Sequence, residues 1–422
     1  MDEAREVVIT GVGIVSPIGI GRETFWQNLD AGQGGVQSLS LFAGKRDIPF
    51  QIGAPLVGFE AKDYVQPRKS LKVMSGEIQV AYAAGALAMQ DAGLAKGALD
   101  PSRFGVVLGS ELLYGELPEV VDCFAHCHVD GEFHFERWGD AAFKDLFPLW
   151  MLKYLPNMAA CHIGIAHDAR GPNNSIVEGQ VSSLLAIGEA FSVIQRGLAD
   201  VMLAGGSGSQ LAPSAFPFRV NRDVDRWEGD PRVASRPFDA RRIGPVPGEG
   251  AGVLVLETRA HAERRGAKIL AKIVAAASRF ESPQQPGGIT GRGVRNSITA
   301  VLQKAGMRPQ DVGHVNANGE SSQAKDRCEA QAIRDLLGDV PVTAPKSFFG
   351  DLGAGSGAVE LIASVLALAN GRIPRTLNYD EPDPTCPVNI IQGESLVGAP
   401  PVALVLNQAD TGQANAIVLA GA

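Results

Sequence analysis

The chain is poor in the residues that mark several large protein classes. Its five cysteines (Cys123, Cys127, Cys161, Cys328 and Cys386) are an odd, scattered set, which excludes a disulfide frame and points to reduced thiols. Basic residues are outnumbered by acidic ones, 38 to 46, for a formal net charge of −8, so there is no electrostatic footprint for nucleic acid. No stretch reads as both long and apolar enough to span a membrane. The charged start MDEAREVVITG leads straight into a strand and resembles neither a signal peptide nor a transit peptide, which makes the cytoplasm the expected compartment. What the chain does have is length and glycine. Its 422 residues, 45% hydrophobic with 50 glycines, suffice for one large or two fused α/β domains with substantial cores.

The most informative stretch runs from Gly171 to Gly206. It reads as a strand (Asn174 to Val177), a tight turn at Glu178 and Gly179, and a helix from Gln180 whose apolar face carries Val181, Leu184, Leu185, Ile187, Phe191 and Ile194. A buried strand from Asp200 to Ala204 follows, closed by a glycine pair. A strand turning sharply into a helix lifts the turn side chain above the sheet edge, beside the helix N-terminal N–H groups, where a nucleophile can be activated. Here that residue is Gln180, and an amide forms no acyl-enzyme.

Elsewhere the chain alternates strands and helices. The first half offers a strand at Val7–Ser16, helices near Arg22–Leu29 and Ser75–Ala92, and a strand at Phe104–Gly109. The second offers strands at Ile269–Ala276, His314–Ala317, Val340–Ala344, Val402–Asn407 and Ala416–Ala420, with helices at Gly293–Ala305, Ala324–Leu337 and Gly355–Asn370. Periodicity alone predicts a mostly parallel α/β protein. The Gly11-Val12-Gly13 run is read as a structural turn rather than a nucleotide loop, because a third glycine and an acidic ribose partner are not convincingly placed. Residues 111–156 break the alternation with a long, aromatic-rich excursion of helices and loop. Within it Cys123, His126, Cys127, His128 and His134 fit no zinc spacing and are read as packing and surface residues, so no metal or other cofactor is expected.

The elbow around Gln180 resembles that of the β-ketoacyl synthases, in which a cysteine occupies this position. The likeness extends along nearly the whole chain: VVITG at the first strand, Arg236-Pro237-Phe238-Asp239, and GEGAGVLVLE ending at Glu257. Glu249 in that last run is read as shaping a loop and strand more than as a pocket carboxylate. The resemblance implies a thiolase-like fold, a pseudo-duplicated five-layered α/β/α/β/α architecture with halves at 1–260 and 261–422, and an excursion at 111–156 lying over the active site and the dimer interface.

In that family a thiolate takes the acyl group, and two imidazoles polarise the malonyl thioester and stabilise the enolate formed on decarboxylation. The first histidine lies in an N-A-H-G-T motif, here Asn316-Ala317-Asn318-Gly319-Glu320. The second lies in K-S-x-x-G-H-L-x-G-A-x-G-A-V-E, here Lys346 to Glu360 with Asp351 at its place. All three positions, Gln180, Asn318 and Asp351, are therefore changed, while Asp326, Glu329, Lys346, Ser347, Gly350, Gly357 and Glu360 match. The family's G-F-G-G-T-N loop is replaced by Asp410 to Asn415. None of the seven histidines falls at a catalytic position, and His314 reads as a core or strand-end residue.

The favoured expectation is a non-catalytic subunit resembling the chain length factor of type II polyketide synthases. The resemblance implies pairing with an active ketosynthase, an acyl carrier protein as delivery partner, and an acyl or polyketide chain in a shared tunnel. Leu112, Leu113, Tyr114, Leu117, Phe147, Met151 and Tyr154 are the tunnel or interface candidates. Glu178, Glu320, Lys346, Phe349, Glu360 and Thr411 are the pocket candidates. The first alternative is a hydrolase, lyase or cyclase acting on an acyl thioester, with Asp351 and Glu320 as acid and base. The second is a homodimeric acyl-binding protein.

Overall fold

The computed structural model describes residues 5–39, 51–214, 227–284 and 288–422. Met1 to Ala4 of the charged start lie outside them. The first half contributes strands β1 (Val7–Ser16), β2 (Phe104–Ser110), β3 (Asn173–Val177), β4 (Val201–Ser209) and β5 (Glu249–Thr258). Its main helices are α1 (Arg22–Ala31), α2 (Gly76–Asp91), α3 (Leu117–Cys127), α4 (Trp138–Asp145), α5 (Met158–His167) and α6 (Ser182–Gln195). The second half contributes β6 (Ala271–Phe280), β7 (His314–Asn316), β8 (Pro341–Thr343), β9 (Asn389–Ile390), β10 (Val402–Gln408) and β11 (Gln413–Gly421), with α7 (Arg292–Ala305), α8 (Gln323–Leu337) and α9 (Ser356–Asn370).

These strands form a 12-stranded sheet in the order β9-β8-β7-β10-β11-β6-β1-β5-β4-β2-β3, with the short strand Gly19–Ile20 hydrogen-bonded to β1. The halves meet where β1 pairs with β6, Val7 opposite Ile273. Helices α6 and α9 pack on each other and on strands of both halves, and the central core built around them includes Ile187, Phe191, Leu361 and Val365. Separate cores lie under the outer helices, one with α2 and α5, the other with α7 and α8. Three cores between two sheet regions and three helix layers are the five-layered thiolase-like architecture.

Periodicity predicted a mostly parallel sheet, and in this the structure differs. Strand β5 runs antiparallel to both β1 and β4, and β11 antiparallel to both β6 and β10. Parallel pairing is confined to the flanks: β2 with β3 and β4, and the β10-β7-β8-β9 series. Helices cover both faces of β1, β4 and β5, so these antiparallel strands are buried nearly end to end and carry no burial alternation that would have distinguished them, whereas β6 alternates buried and half-buried residues. Strand β4 also runs on through the glycine pair expected to end it. A Cβ on Gly205 would lie 2.0 Å from the Gly252 carbonyl oxygen, so the glycines serve a close strand contact rather than a stop. Strands β6 and β11 are longer than predicted because Phe280 pairs with Gln413 across the turn-proximal end of their ladder.

One helical segment does meet the length and hydropathy needed to cross a membrane, contrary to expectation: Gly353–Asn370. It is 83% buried inside the protein, and its apolarity is that of the central layer. The excursion folds as α3, a two-stranded ribbon (His128–Val129 with Glu132–Phe133) and α4, where only helices and loop were predicted. It has a small core of its own in which Cys123 and Cys127 pack with Ala141, Trp138 and Leu146.

Candidate functional site

The elbow forms as the sequence requires. Gly179 takes φ +60, Gly179–Val181 make one tight 3-10 turn, and α6 starts at Ser182. The Ser182 hydroxyl donates to the Gly179 carbonyl (2.7 Å) and accepts from the Glu178 N–H (2.8 Å), pinning the turn. Gly109 lets β2 approach the helix start, since a Cβ there would lie 2.3 Å from the Ser183 nitrogen. The Ser183 hydroxyl in turn accepts from the Ala358 N–H at 3.0 Å, tying α6 to α9. Glu178 is exposed and Gln180 half-buried.

Asn318 follows β7 and is fully buried. Its backbone N–H and that of Gly319 donate to the Glu329 carboxylate at 2.8 and 3.0 Å. Its side-chain oxygen accepts from Lys346 Nζ (3.1 Å) and Asn407 Nδ2 (3.1 Å), and its amide donates to Glu320 (3.3 Å). Every polar atom of this side chain is thus engaged within the protein. Lys346 also forms an ion pair with Glu360, both at most 1% exposed. Burial pushes Glu360 up to about 8, with the Lys346 charge opposing; Glu329 rises to about 7 and Asp326 to about 6, again chiefly by burial.

Asp351 is 2% exposed and turned into its own loop: Oδ1 accepts from the Gly353 N–H (3.0 Å) and the Ser356 hydroxyl (3.2 Å). Glu320 is paired with Lys325 at 2.5 Å, and Lys325 reaches Asp410 at 2.6 Å. Burial pulls the Lys325 ammonium down, but the charges of Glu320 and Asp410 outweigh it and hold it above the ordinary lysine range. Lys325 escaped the sequence reading. A lysine in the first turn of a helix, against the dipole, was the available signal that it has an acidic partner. Glu249 accepts from the Leu56 N–H (3.1 Å) and the Ser209 hydroxyl (3.2 Å), bracing that loop, and it also lines a cavity with Glu77 and Glu116.

Three of the predicted pocket residues, Lys346, Phe349 and Glu360, are buried in the protein interior. Phe349 is fully buried in the central core beside Phe25, because the Lys346–Phe349 turn packs inward beneath Gly248. Lys346 and Glu360 are paired with each other inside the protein, while Glu178 and Thr411 are exposed. Among the tunnel candidates, Leu113 and Tyr154 point into the core under α2. Tyr154 is held there by hydrogen bonds to Glu119 (2.5 Å) and from the Glu116 N–H (3.1 Å). Leu112, Leu117, Phe147 and Met151 are exposed, and Tyr114 is half-buried. Among the described residues, no group of three or more His, Cys, Asp or Glu side chains is placed to hold a metal.

His314 faces the interior from β7, 1% exposed, and burial pushes it down to about 4. The folded state therefore holds it neutral. Its contribution to stability is complete above the unfolded value near 6.5 and is lost as pH falls toward 4. A shift of this size corresponds to about 3 kcal/mol. His314→Leu is expected to flatten the fall in the urea midpoint between pH 7 and pH 4.5; an unaltered slope would show that other groups drive acid unfolding.

The β-ketoacyl synthase N-terminal domain profile matches residues 4–262, and the C-terminal domain profile matches residues 270–380. The chain is 32% identical over 399 residues to 3-oxoacyl-[acyl-carrier-protein] synthase 2 of Synechocystis sp., covering 93% of this chain and 92% of that one. It is 34% identical over 399 residues to a putative polyketide beta-ketoacyl synthase 1 of Streptomyces halstedii, with the same coverage. A solved structure titled the ishigamide ketosynthase/chain length factor superposes with a TM-score of 0.84 at 25% identity, over 99% of this chain and 100% of that one. With the fold, the elbow and the buried Lys346–Glu360 framework already in place, these matches establish that the chain belongs to the β-ketoacyl synthase family.

Proposed function

We propose that this protein is a non-catalytic ketosynthase-like subunit of the chain length factor type, which pairs with an active ketosynthase and helps wall the tunnel holding the growing acyl or polyketide chain. The observation that carries the reading is the condition of Gln180, Asn318 and Asp351. Gln180 offers no nucleophile. Asn318 can neither act as a base nor spare its amide, which is committed to Glu320. Asp351 is an acceptor already occupied by Gly353 and Ser356.

The same geometry weighs against a repurposed acid–base enzyme. Glu320 is neutralised by Lys325, and Asp351 is directed into its loop, so the two carboxylates do not converge on a shared substrate position.

A partner is favoured by the surface around the excursion. Of the 16 large apolar residues that are strongly exposed among the described residues, 12 lie between Leu112 and Val177. Val177 among them lies on β3, and Ile165 on α5, which packs against it; β3 is an edge strand of the sheet whose Asn173, Asn174 and Val177 are exposed. A sheet edge flanked by apolar surface is costly to leave open and suited to pairing. The acyl carrier protein named for the Synechocystis relative is the expected delivery partner of the pair.

The test is co-purification of the tagged chain from its native lysate, with native mass. A one-to-one complex with a ketosynthase bearing cysteine and both histidines supports the reading. A homodimer free of any condensing partner overturns it in favour of an acyl-binding protein. In the reconstituted pair, Tyr114→Ala is expected to lengthen the products by at least one condensation unit, read by mass spectrometry; unchanged length removes Tyr114 from the tunnel wall.

A further inference from the structure

The altered site is bridged as well as depleted. Gln180 Nε2 lies 3.5 Å from Asp410 Oδ2, and Asp410 Oδ1 lies 2.6 Å from Lys325 Nζ. Lys325 lies 2.5 Å from Glu320 Oε1, and Glu320 Oε2 lies 3.3 Å from the Asn318 amide. An unbroken line of polar contacts therefore spans the gap from the elbow to the strand-end loop. The line is open to solvent at its elbow end, where Gln180 is half-buried and the Asp410 side chain 74% exposed, and closed at its centre, where the side chains of Glu320 and Lys325 are 3% and 10% exposed.

For two groups at positions 180 and 318 to act together on a thioester carbonyl, that carbonyl must stand between them. The contacts that join positions 180 and 318 run through the ion pair. Displacing it would separate two nearly buried opposite charges and leave Glu320 without its cation, which is far costlier than moving an apolar side chain. Asp410 holds the ammonium from the solvent side, on the turn between β10 and β11, whose Gly412 N–H donates to the Ala409 carbonyl at 3.0 Å.

We propose that the Glu320–Lys325 ion pair, clamped from outside by Asp410, is a plug that keeps a pantetheine-length thioester arm out of this chain's own vestigial site. The inference rests on the non-catalytic reading and deepens it. In a pair with an active ketosynthase, the plug leaves a single site able to accept the carrier-bound chain, so no arm is sequestered where it cannot react.

Access can be measured without the partner. Gln180→Cys installs a thiol at the elbow, and peptide mapping separates its labelling from that of the five native cysteines. A maleimide carried on a pantetheine arm is expected to label Gln180→Cys at least tenfold more slowly than Gln180→Cys/Glu320→Thr/Lys325→Asn. Iodoacetamide, which needs no channel, is expected to label both within twofold. Equal rates with the long reagent overturn the plug. Should the triple variant fail to fold, Gln180→Cys/Asp410→Asn removes only the exposed clamp and is expected to speed long-arm labelling two- to fivefold; an unchanged rate there counts against the proposal. Absence of a ketosynthase from the co-purification would overturn the subunit reading while leaving the labelling result intact, so the two failures are distinguishable.

Discussion

Lys346→Met is expected to cost about 3–5 kcal/mol of stability, the range for removing one partner of a buried ion pair. Lys346 is 1% exposed and engages three oxygens on two parts of the second half: the Glu360 carboxylate on α9, and the main-chain and side-chain oxygens of Asn318 at 3.0 and 3.1 Å. Methionine fills similar volume but donates nothing. Glu360 then keeps Asn407 Nδ2, at 3.3 Å, as a donor to its carboxylate. Lys346→Met/Glu360→Gln is expected to recover at least half the loss, because the uncompensated acid is gone. The pH dependence has a definite sign. Burial already holds Glu360 near 8, and removing the opposing cation raises it further. A carboxyl raised on folding gives stability that is complete below its unfolded value and lost as pH rises through its folded value. The Lys346→Met deficit should thus be smaller at pH 5.5 than at pH 8.5 in urea titrations; a deficit that does not grow with pH would show that Glu360 is not the group left exposed to the change.

This network also marks the limit of what the sequence discloses. The elbow, Gly179 and the helix after it are local, set by a glycine turn and a run of apolar residues within about twenty positions, and they form within a residue or two of where they were expected. Strand direction was not legible: β1, β5 and β4 are buried nearly end to end, and nothing within each strand separates antiparallel from parallel neighbours once both faces are covered. Side-chain partners were harder still. Asp410 lies 85 residues from Lys325 and 230 from Gln180 in the chain, so only the packed fold brings them together. Glu320 therefore read as an available carboxylate when it is one half of an ion pair. Phe349 read as a pocket residue because its motif borders the site, whereas the turn carrying it packs inward beneath Gly248. The motif placed the backbone correctly and left the direction of each side chain open.

Charge placed on the excursion face is expected to break the proposed pairing with a ketosynthase while sparing the fold. Leu112, Phe147 and Met151 are 62%, 45% and 61% exposed. The triple variant Leu112→Asp/Phe147→Asp/Met151→Asp therefore changes little that the isolated chain buries, and surface substitutions of this kind usually shift stability within about 0.5 kcal/mol each. In a complex the account reverses. Each side chain covered by a partner forfeits about 1.5–3 kcal/mol of apolar burial, and each new carboxylate must be desolvated without a cation opposite it. Even if the partner covers only part of this surface, the combined effect is at least a hundredfold in affinity, where about 1.4 kcal/mol corresponds to each factor of ten. Glu119 fixes the orientation of this face by accepting hydrogen bonds from Trp150 (2.9 Å) and Tyr154 (2.5 Å) and pairing with Lys153, so the substituted side chains project from a braced surface that cannot easily turn them away. Co-expression with the ketosynthase followed by native mass spectrometry reads the outcome. A one-to-one complex surviving in the triple variant at micromolar concentration would place the interface elsewhere. Loss of the complex with an unchanged unfolding midpoint would assign the cluster of exposed apolar residues to the partner, and explain why a protein with so apolar a face still keeps a sheet edge unpaired.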